Sequence, residues 1–331
     1  MLIKDIGEQG LLTILQKFCP AEIVGDDCAV IPTNPHKSLA ITTDMLVDGV
    51  HFSDRTTSPY DAGWRAAAAN LSDLAAMGAT PLAVTVALAV TADTAVLWVE
   101  EFYRGMTACL QEYHTPIAGG DVVRSPVVTV AITAFGEVEC DRSIRRSNAR
   151  SNWAIVATGV HGASRAGLEL LLNPEFGQNL EKGDRTSLIL AHQRPKPRLD
   201  VLPILWEILG FEGEFCIAGM DSSDGLADAI IQICRASGVG AKVDRPKIPI
   251  PHIFSELVSP EKALDWALYG GEDFELVLFL PMDHAELLVE KIGNGAAIVG
   301  ITTDSTDIWL TDSSGIYADI VLKLDRGFQH F

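Results

Sequence analysis

Aspartates recur in this sequence at positions where local preference gives them little reason to be. Asp26 and Asp27 follow Gly25 in GDDCAV, at a turn entering an apolar segment. Asp44 closes the β-rich stretch Ser38–Thr43, inside ITTDMLVDGVHF. Asp73 lies in the Ala-rich segment NLSDLAAMGA, where Asp is a poor helix former, and Asn70 three residues earlier shares its helical face. Asp121 follows Gly119 and Gly120, while Asp221 and Asp224 stand in MDSSDGL where a helix begins. Singly, these residues read as caps, turn formers or, for Asp73, a solvated helix face. Together they describe carboxylates converging from strand and helix ends, which repel one another unless cations lie among them. Oxygen donors without His or Cys suit Mg²⁺, a cation that commonly works with substrate phosphates.

Hydrophobic periodicity indicates the elements that must hold these residues. Ser38–Thr43 reads as a strand, and Asp61 caps a helix from Ala62 to Met77 that Gly78 closes. Leu82, Val84, Val86, Leu88 and Val90 alternate along a strand over Pro81–Val90. The spacing of Val96, Val99, Phe102 and Met106 predicts a helix over Asp93–Tyr113, and Val127–Val138 reads as a strand. The polar run Glu139–Asn152, with Arg142, Arg145, Arg146 and Arg150, predicts a domain junction near residue 145. Beyond it come a strand at Trp153–Thr158 and helices at Ala163–Leu172, Asp184–His192, Arg198–Leu209 and after Ser223. Strands at Phe274–Leu280 and Ala296–Ile301 complete the pattern. The expectation is two domains, α/β and α+β in class, over 1–145 and 146–331.

Composition narrows the function. The 331 residues carry 25 Lys+Arg against 44 Asp+Glu, a formal net charge of −19, and the 48% hydrophobic share is that of a folded chain. Such acidity argues against nucleic acid as main partner and against an anionic membrane surface, both of which are held by basic patches. Met1–Leu12 carries Lys4, Asp5 and Glu8 and has no apolar signal core. The most apolar run, Leu82–Val90, has about half the length needed to cross a bilayer. A cytoplasmic location is expected. The six cysteines form no Cys-x-x-Cys pair, so buried reduced thiols are expected rather than a zinc site or disulfide framework. There is no P-loop, no G-x-G-x-x-G after a strand, no protein-kinase signature set and no G-x-S-x-G. A nucleotide would have to be held through metals, the Gly119–Gly120 amides and a few Arg residues.

The segments GDDCAV, TTDMLVDGVHF, NLSDLAAMGA, GGD, RPKPR, DSSDGL, GGEDFELV and GFQHF follow in this order over nearly the whole chain. In this combination the sequence closely resembles the thiamine-monophosphate kinases, a family of the PurM-like ATP-binding superfamily. The resemblance implies ATP-dependent phosphorylation of thiamine monophosphate to thiamine diphosphate. It implies a two-domain PurM-like fold whose N-terminal sheet closes a barrel across a homodimer, with the active site between the domains. By motif, Asp27, Thr42, Thr43, Asp44, Asp73, Asp121, Asp221 and Asp224 would hold several Mg²⁺ ions. Tyr103, Gly120, Asp121, Arg146 and Ser223 would contact ATP, with Arg145 the neighbouring alternative to Arg146 in RRSNAR. His51, Glu272 and Phe328 would contact the thiamine part, Phe328 as a match of residue type.

The chemistry asks for such a set. The nucleophile is a phosphate oxygen, and a phosphate monoester with a second pKa near ~6 is mostly dianionic at neutral pH. No general base is needed, no protein residue is expected to be catalytic in its own right, and transfer is expected to be direct, without a phosphoenzyme. Catalysis then rests on positioning and charge neutralisation. A cationic thiazolium would suit an aromatic face and a carboxylate such as Glu272, with Asp273 beside it as a residue that could orient it. His51 and Glu272 alone would read as a loop histidine and a turn residue. Arg194, Lys196 and Arg198 could contact phosphate, but the interleaved prolines favour a rigid linker before a helix. The rival functions are another PurM-like ATP-dependent enzyme and a non-catalytic acidic cation-binding protein. No EF-hand loop supports the latter, and GVHF, GGED and GFQHF favour the kinase over its superfamily neighbours.

Overall fold

Alternating strands and helices build two separate sheets in the computed structural model, which describes residues 1–20, 23, 29, 31–210, 217–293 and 295–324. One unit comprises Met1–Leu74 and Ala79–Cys140; the second comprises Ala75–Gly78 and the chain from Asp141 onward. Among the described residues no helix is long and apolar enough to cross a membrane.

The first unit contains α1 (Ile3–Leu15), β1 (Lys37–Val47), α2 (Pro59–Ala76), β2 (Thr80–Val90), α3 (Val96–Glu112), β3 (Ile117–Arg124) and β4 (Thr129–Glu139). Its four-stranded sheet has the order β1-β4-β2-β3, with β4 antiparallel to both neighbours and β2 parallel to β3. Strand β1 runs through Asp44 to Val47, so Asp44 lies inside the strand rather than at its end. Its inward face carries the buried Leu46 with the half-buried Thr42 and Asp44; Leu39, Ile41, Thr43 and Met45 are exposed on the other. Helix α2 starts earlier than expected. Ser58 caps it, accepting the Asp61 N–H at 3.2 Å and donating to Asp61 Oδ2 at 2.6 Å, with Pro59 in the first turn. Asp61 is therefore the partner of the capping hydroxyl, not the cap. Helices α2 and α3 cross at backbone contact: a Cβ on Gly63 would lie 1.9 Å from the Phe102 carbonyl, and one on Gly105 1.8 Å from that of Tyr60. Only glycine fits at either position.

The second unit contains β5 (Ala154–Ala157), α4 (Ala163–Leu172), α5 (Lys182–Gln193), α6 (Val201–Leu209), β6 (Ala218–Asp221), α7 (Leu226–Ser237), β7 (Gly240–Asp244), α8 (Phe254–Leu257), α9 (Pro260–Tyr269), β8 (Leu276–Leu280), α10 (Met282–Ile292), β9 (Ala297–Thr303), β10 (Ile308–Thr311) and β11 (Ile320–Val321). These strands form a mixed seven-stranded sheet of order β11-β10-β7-β9-β5-β8-β6. Strand β8 is buried throughout because both its faces are covered. Val277 and Phe279 pack with Ile230 and Leu268, whereas Leu276, Leu278 and Leu280 pack with Leu205 and Leu288. Ile144 is fully buried in the latter cluster, and its N–H donates to the Met77 carbonyl at 3.1 Å. Helix α6 begins at Val201 rather than Arg198 because the Arg198 guanidinium is turned inward. Its Nη1 donates to the Thr158 carbonyl at 2.9 Å and to Glu275, and its Nε to Asp200 at 2.9 Å. Of the cysteines, Cys109 and Cys234 are buried free thiols, but Cys140 is exposed and Cys19 half-buried; Cys28 and Cys216 lie outside the described residues.

Candidate active site

The first unit brings part of the anticipated acidic set together. The Thr42 hydroxyl donates to Asp73 Oδ2, joining β1 to α2. The Asp44 N–H donates to Asn70 Oδ1 at 3.3 Å, one helical turn before Asp73. Burial, and then the charge of Asp73, push the Asp44 carboxyl up to about 6. Two neighbouring carboxylates and a hydroxyl, all oxygen donors, fit a hard divalent cation, whose charge would relieve both the burial cost and the repulsion. Thr43 is different: its hydroxyl meets Thr133 at 2.8 Å on the exposed face of the sheet, opposite to Asp44. Strand parity therefore separates the side chains of Thr42 and Thr43. Asp27 lies outside the described residues, and among those described no group of three or more His, Cys, Asp or Glu gathers at metal-binding distance.

A cavity of about 690 Å³ opens in the same unit, lined by Tyr103, Gly119, Gly120, Asp121 and Cys19 among mostly apolar residues, including Leu15 and Phe135. Its size and apolar lining suit a purine-sized group. Gly120 is required by the sheet itself, because a Cβ there would lie 2.1 Å from the Val86 carbonyl. Tyr103 is buried, its ring tilted against that of Phe18 with centroids 5.5 Å apart, and burial pushes its phenol well above its ordinary range. Asp121 is exposed, with Oδ1 accepting the Val122 N–H at 2.9 Å. His51 sits in the turn after β1, its Nδ1 accepting from Val47 N–H at 3.1 Å.

The second unit carries two loops of interest. Asp221 ends β6 and is buried, Ser223 Oγ donates to its Oδ1 at 3.4 Å, and Asp224 is exposed just before α7. The Glu272 N–H donates to the Ser223 carbonyl at 2.7 Å, tying the GGED segment to this loop. Glu272 has φ +66 and Phe274 φ +52, so the segment is held in a conformation that L residues seldom adopt. Asp273 turns to the start of α4, accepting from Gly162 and Ser164, and Glu272 Oε2 lies 3.8 Å from Nδ1 of the buried His192. His192, which also meets Ser164 Oγ at 3.2 Å, has no local sequence signal for such a role. Arg145 Nε donates to Ser143 at 3.2 Å, whereas the exposed Arg146 lies close enough to Asp228 of α7 to oppose the rise that burial gives that carboxyl. Phe328 lies outside the described residues.

Comparison with known proteins places the chain in a family. The model of the AIR synthase related protein, N-terminal domain, matches residues 25–138, and that of the AIR synthase related protein, C-terminal domain, matches 154–313. These matches define a two-domain PurM-like protein. The thiamine-monophosphate kinase of Synechococcus elongatus is 48% identical over 99% of this chain and 98% of its own. The chain therefore belongs to the thiamine-monophosphate kinase family. The crystal structure of the Stenotrophomonas maltophilia thiamine-monophosphate kinase is 30% identical, covers 92% of this chain and 95% of its own, and superposes with a TM-score of 0.77. AaThiL complexed with AMPPCP and TMP is 29% identical over 98% of this chain and 99% of its own, with a TM-score of 0.72.

Proposed function

We propose that this chain transfers the γ-phosphoryl group of ATP to the phosphate of thiamine monophosphate, forming thiamine diphosphate and ADP. The observation that carries the reading is the Thr42–Asp44–Asp73 cluster, in which a half-buried carboxyl lies beside a second carboxylate, in a chain related over its full length to thiamine-monophosphate kinases. Several Mg²⁺ ions, held by Asp44, Asp73, Asp121, Asp221 and Asp224 with Asp27 and Thr42, would supply charge neutralisation between two polyanions. Thr43 would join them through its main-chain carbonyl, since its hydroxyl is on the other face. Tyr103 and Gly120 would receive ATP in the cavity of the first unit, and Ser223 and Arg146 would contact its phosphates. His51, Glu272 and Phe328 would orient the thiamine part, Glu272 by facing the thiazolium charge. No residue is required as a base, because the attacking phosphate is already ionised.

The same reading includes self-association through the sheet of the N-terminal domain (1–145). It is supported by Leu39, Ile41 and Met45, which are 50%, 59% and 57% exposed on the edge strand β1, and by Val123, 52% exposed on the opposite edge strand β3. A cytoplasmic location accords with ATP as co-substrate. The purified protein with ATP, Mg²⁺ and thiamine monophosphate should form thiamine diphosphate, and free thiamine should give no product. Stabilisation by nucleotide and Mg²⁺ without turnover would overturn the kinase reading in favour of a binding protein.

A further inference from the structure

Three stretches far apart along the second unit are tied to one another pairwise. His161, in the turn between β5 and α4, meets Ser222 Oγ with its Nε2 at 3.1 Å. The loop that Ser222 opens receives the Glu272 N–H at the Ser223 carbonyl, 2.7 Å away. Asp273 accepts from the Gly162 and Ser164 N–H groups at 2.6 and 2.9 Å, which closes the circuit back to the His161 turn.

Ser222 is the pivot of the acidic loop. It is fully buried, its N–H donates to the Glu275 carbonyl at 2.8 Å, and its own carbonyl accepts the Gly225 N–H at 3.3 Å. That last bond closes a β-turn with Ser223 and Asp224 at its centre, and Asp221 precedes it at the end of β6. The carboxylates of Asp221 and Asp224 therefore flank a residue whose side chain is held by His161.

The ring can hold that side chain in one way only. His161 is fully buried, and burial keeps it neutral. Its Nδ1 lies 3.1 Å from the Gly159 carbonyl, which has no proton to give, so Nδ1 carries the ring's proton. Nε2 is left with a lone pair, and the Ser222 hydroxyl donates to it. The His161 N–H donates to the Pro249 carbonyl at 2.9 Å, so the backbone beneath the ring is anchored as well. Without the Nε2 acceptor the buried Ser222 hydroxyl would lose its partner, and the turn would have to shift to supply another.

We propose that His161 is a positioning residue for the Asp221–Asp224 loop: its ring, as the Nδ1–H tautomer, accepts the Ser222 hydroxyl and so sets the two carboxylates that Mg²⁺ and ATP would meet. The cation role of those carboxylates rests on the function proposed above; the tautomer does not.

Two amides separate the duties of the ring's nitrogens. His161→Asn keeps a donor near the Nδ1 position for Gly159 but cannot reach Ser222. His161→Gln places an amide oxygen near the Nε2 position, where it can accept the Ser222 hydroxyl. Binding of the non-transferable ATP analogue AMPPCP with Mg²⁺, titrated calorimetrically into the full-length protein, reads the effect without turnover. His161→Asn should weaken that binding about tenfold, and His161→Gln should recover most of the loss. Ser222→Ala removes the same bond with little change of volume, should match His161→Asn, and decides the matter if His161→Asn does not fold. The double variant should be no worse than either single one. A merely structural role would lower the melting temperature of the Asn and Gln variants alike and leave the affinity of the folded protein unchanged; that result, or additive losses, or a parent protein that binds no AMPPCP, would overturn the proposal. Long-range proton–nitrogen NMR spectra of protein labelled with ¹⁵N-histidine, with His161 assigned by its loss in His161→Gln, should show a protonated Nδ1 and a bare Nε2. The reverse tautomer or a charged ring at neutral pH would equally overturn it. If the parent binds AMPPCP with this dependence on His161 but forms no thiamine diphosphate, the kinase reading fails and the positioning role stands.

Discussion

Asp273 accepts the Ser164 N–H at 2.9 Å through Oδ1, and its Oδ2 accepts from Gly162 at 2.6 Å, so the GGED segment is latched to the first turn of α4. Nearby, His161 is fully buried with Nε2 at 3.1 Å from Ser222 Oγ and Nδ1 at 3.1 Å from the Gly159 carbonyl. The two groups titrate in opposite senses. Burial pushes His161 down from 6.5 to about 4, so the native ring stays neutral while the unfolded chain takes up a proton. Burial pushes Asp273 up from 3.8 to about 7, outweighing its two backbone N–H partners, so the native carboxyl keeps a proton that the unfolded chain releases.

These shifts predict separable pH profiles. The His161 contribution is lost as pH falls from 6.5 toward 4, by about 3 kcal/mol in all, and the Asp273 contribution is lost as pH rises from 3.8 toward 7. The stability difference between the parent protein and His161→Gln should therefore shrink toward acid. That between the parent and Asp273→Asn should shrink toward neutral pH. Urea midpoints from pH 4 to 8 measure both, and parallel profiles for parent and variant would contradict the assignment.

The Arg198–Glu275 pair predicts a large, coupled effect. Both side chains are mostly buried, 14% and 16% exposed, and Glu275 also accepts from Thr158 Oγ1 at 2.6 Å. Arg198→Met leaves an uncompensated buried carboxylate and should cost about 3–5 kcal/mol. Adding Glu275→Gln should recover part of the loss, as a double-mutant cycle would show. Additive effects would mean that the two residues act independently.

Neutralising Asp44 should affect the protein in opposite directions with and without Mg²⁺. Asp44→Asn relieves the repulsion with Asp73 and should leave the cation-free protein at least as stable as the parent. It should also weaken Mg²⁺-dependent ATP binding by about tenfold or more, through loss of a cation ligand. Melting temperatures with and without Mg-ATP read both effects. An undiminished rise in melting temperature on adding Mg-ATP would exclude Asp44 from the cation site.

Charges placed on β1 should prevent self-association. Ile41→Lys combined with Met45→Lys puts two cations on an exposed face, where neither contributes to the core of its own chain. Light scattering should show a dimer for the parent and a monomer for the variant, with the fold retained by circular dichroism. A parent protein that is already monomeric would contradict association through this sheet.

Much of this was legible in the residues themselves. The alternation from Val84 to Val90 marks β2, and the apolar run of LVLFL marks β8, a strand covered on both faces. The start of α2 was misplaced because Ser58 and Asp61 are both good caps and only the hydrogen bonds assign their roles. Thr42 and Thr43 were equivalent as residue types, and strand parity set their hydroxyls on opposite faces. His192 could not be found, because it reaches Glu272 from a helix 80 residues earlier in the chain.

The sequence by itself determined the alternation of apolar and polar positions, the two-domain class and the family, because each of these rests on residue types at short, ordered spacings. Tertiary structure alone decided which hydroxyl faces Asp73, which nitrogen of His51 accepts the Val47 N–H, and that Glu275 joins Asp200 in holding Arg198. These depend on the pairing of atoms far apart along the chain, and that pairing is set by strand register, helix crossing and burial rather than by neighbours in sequence.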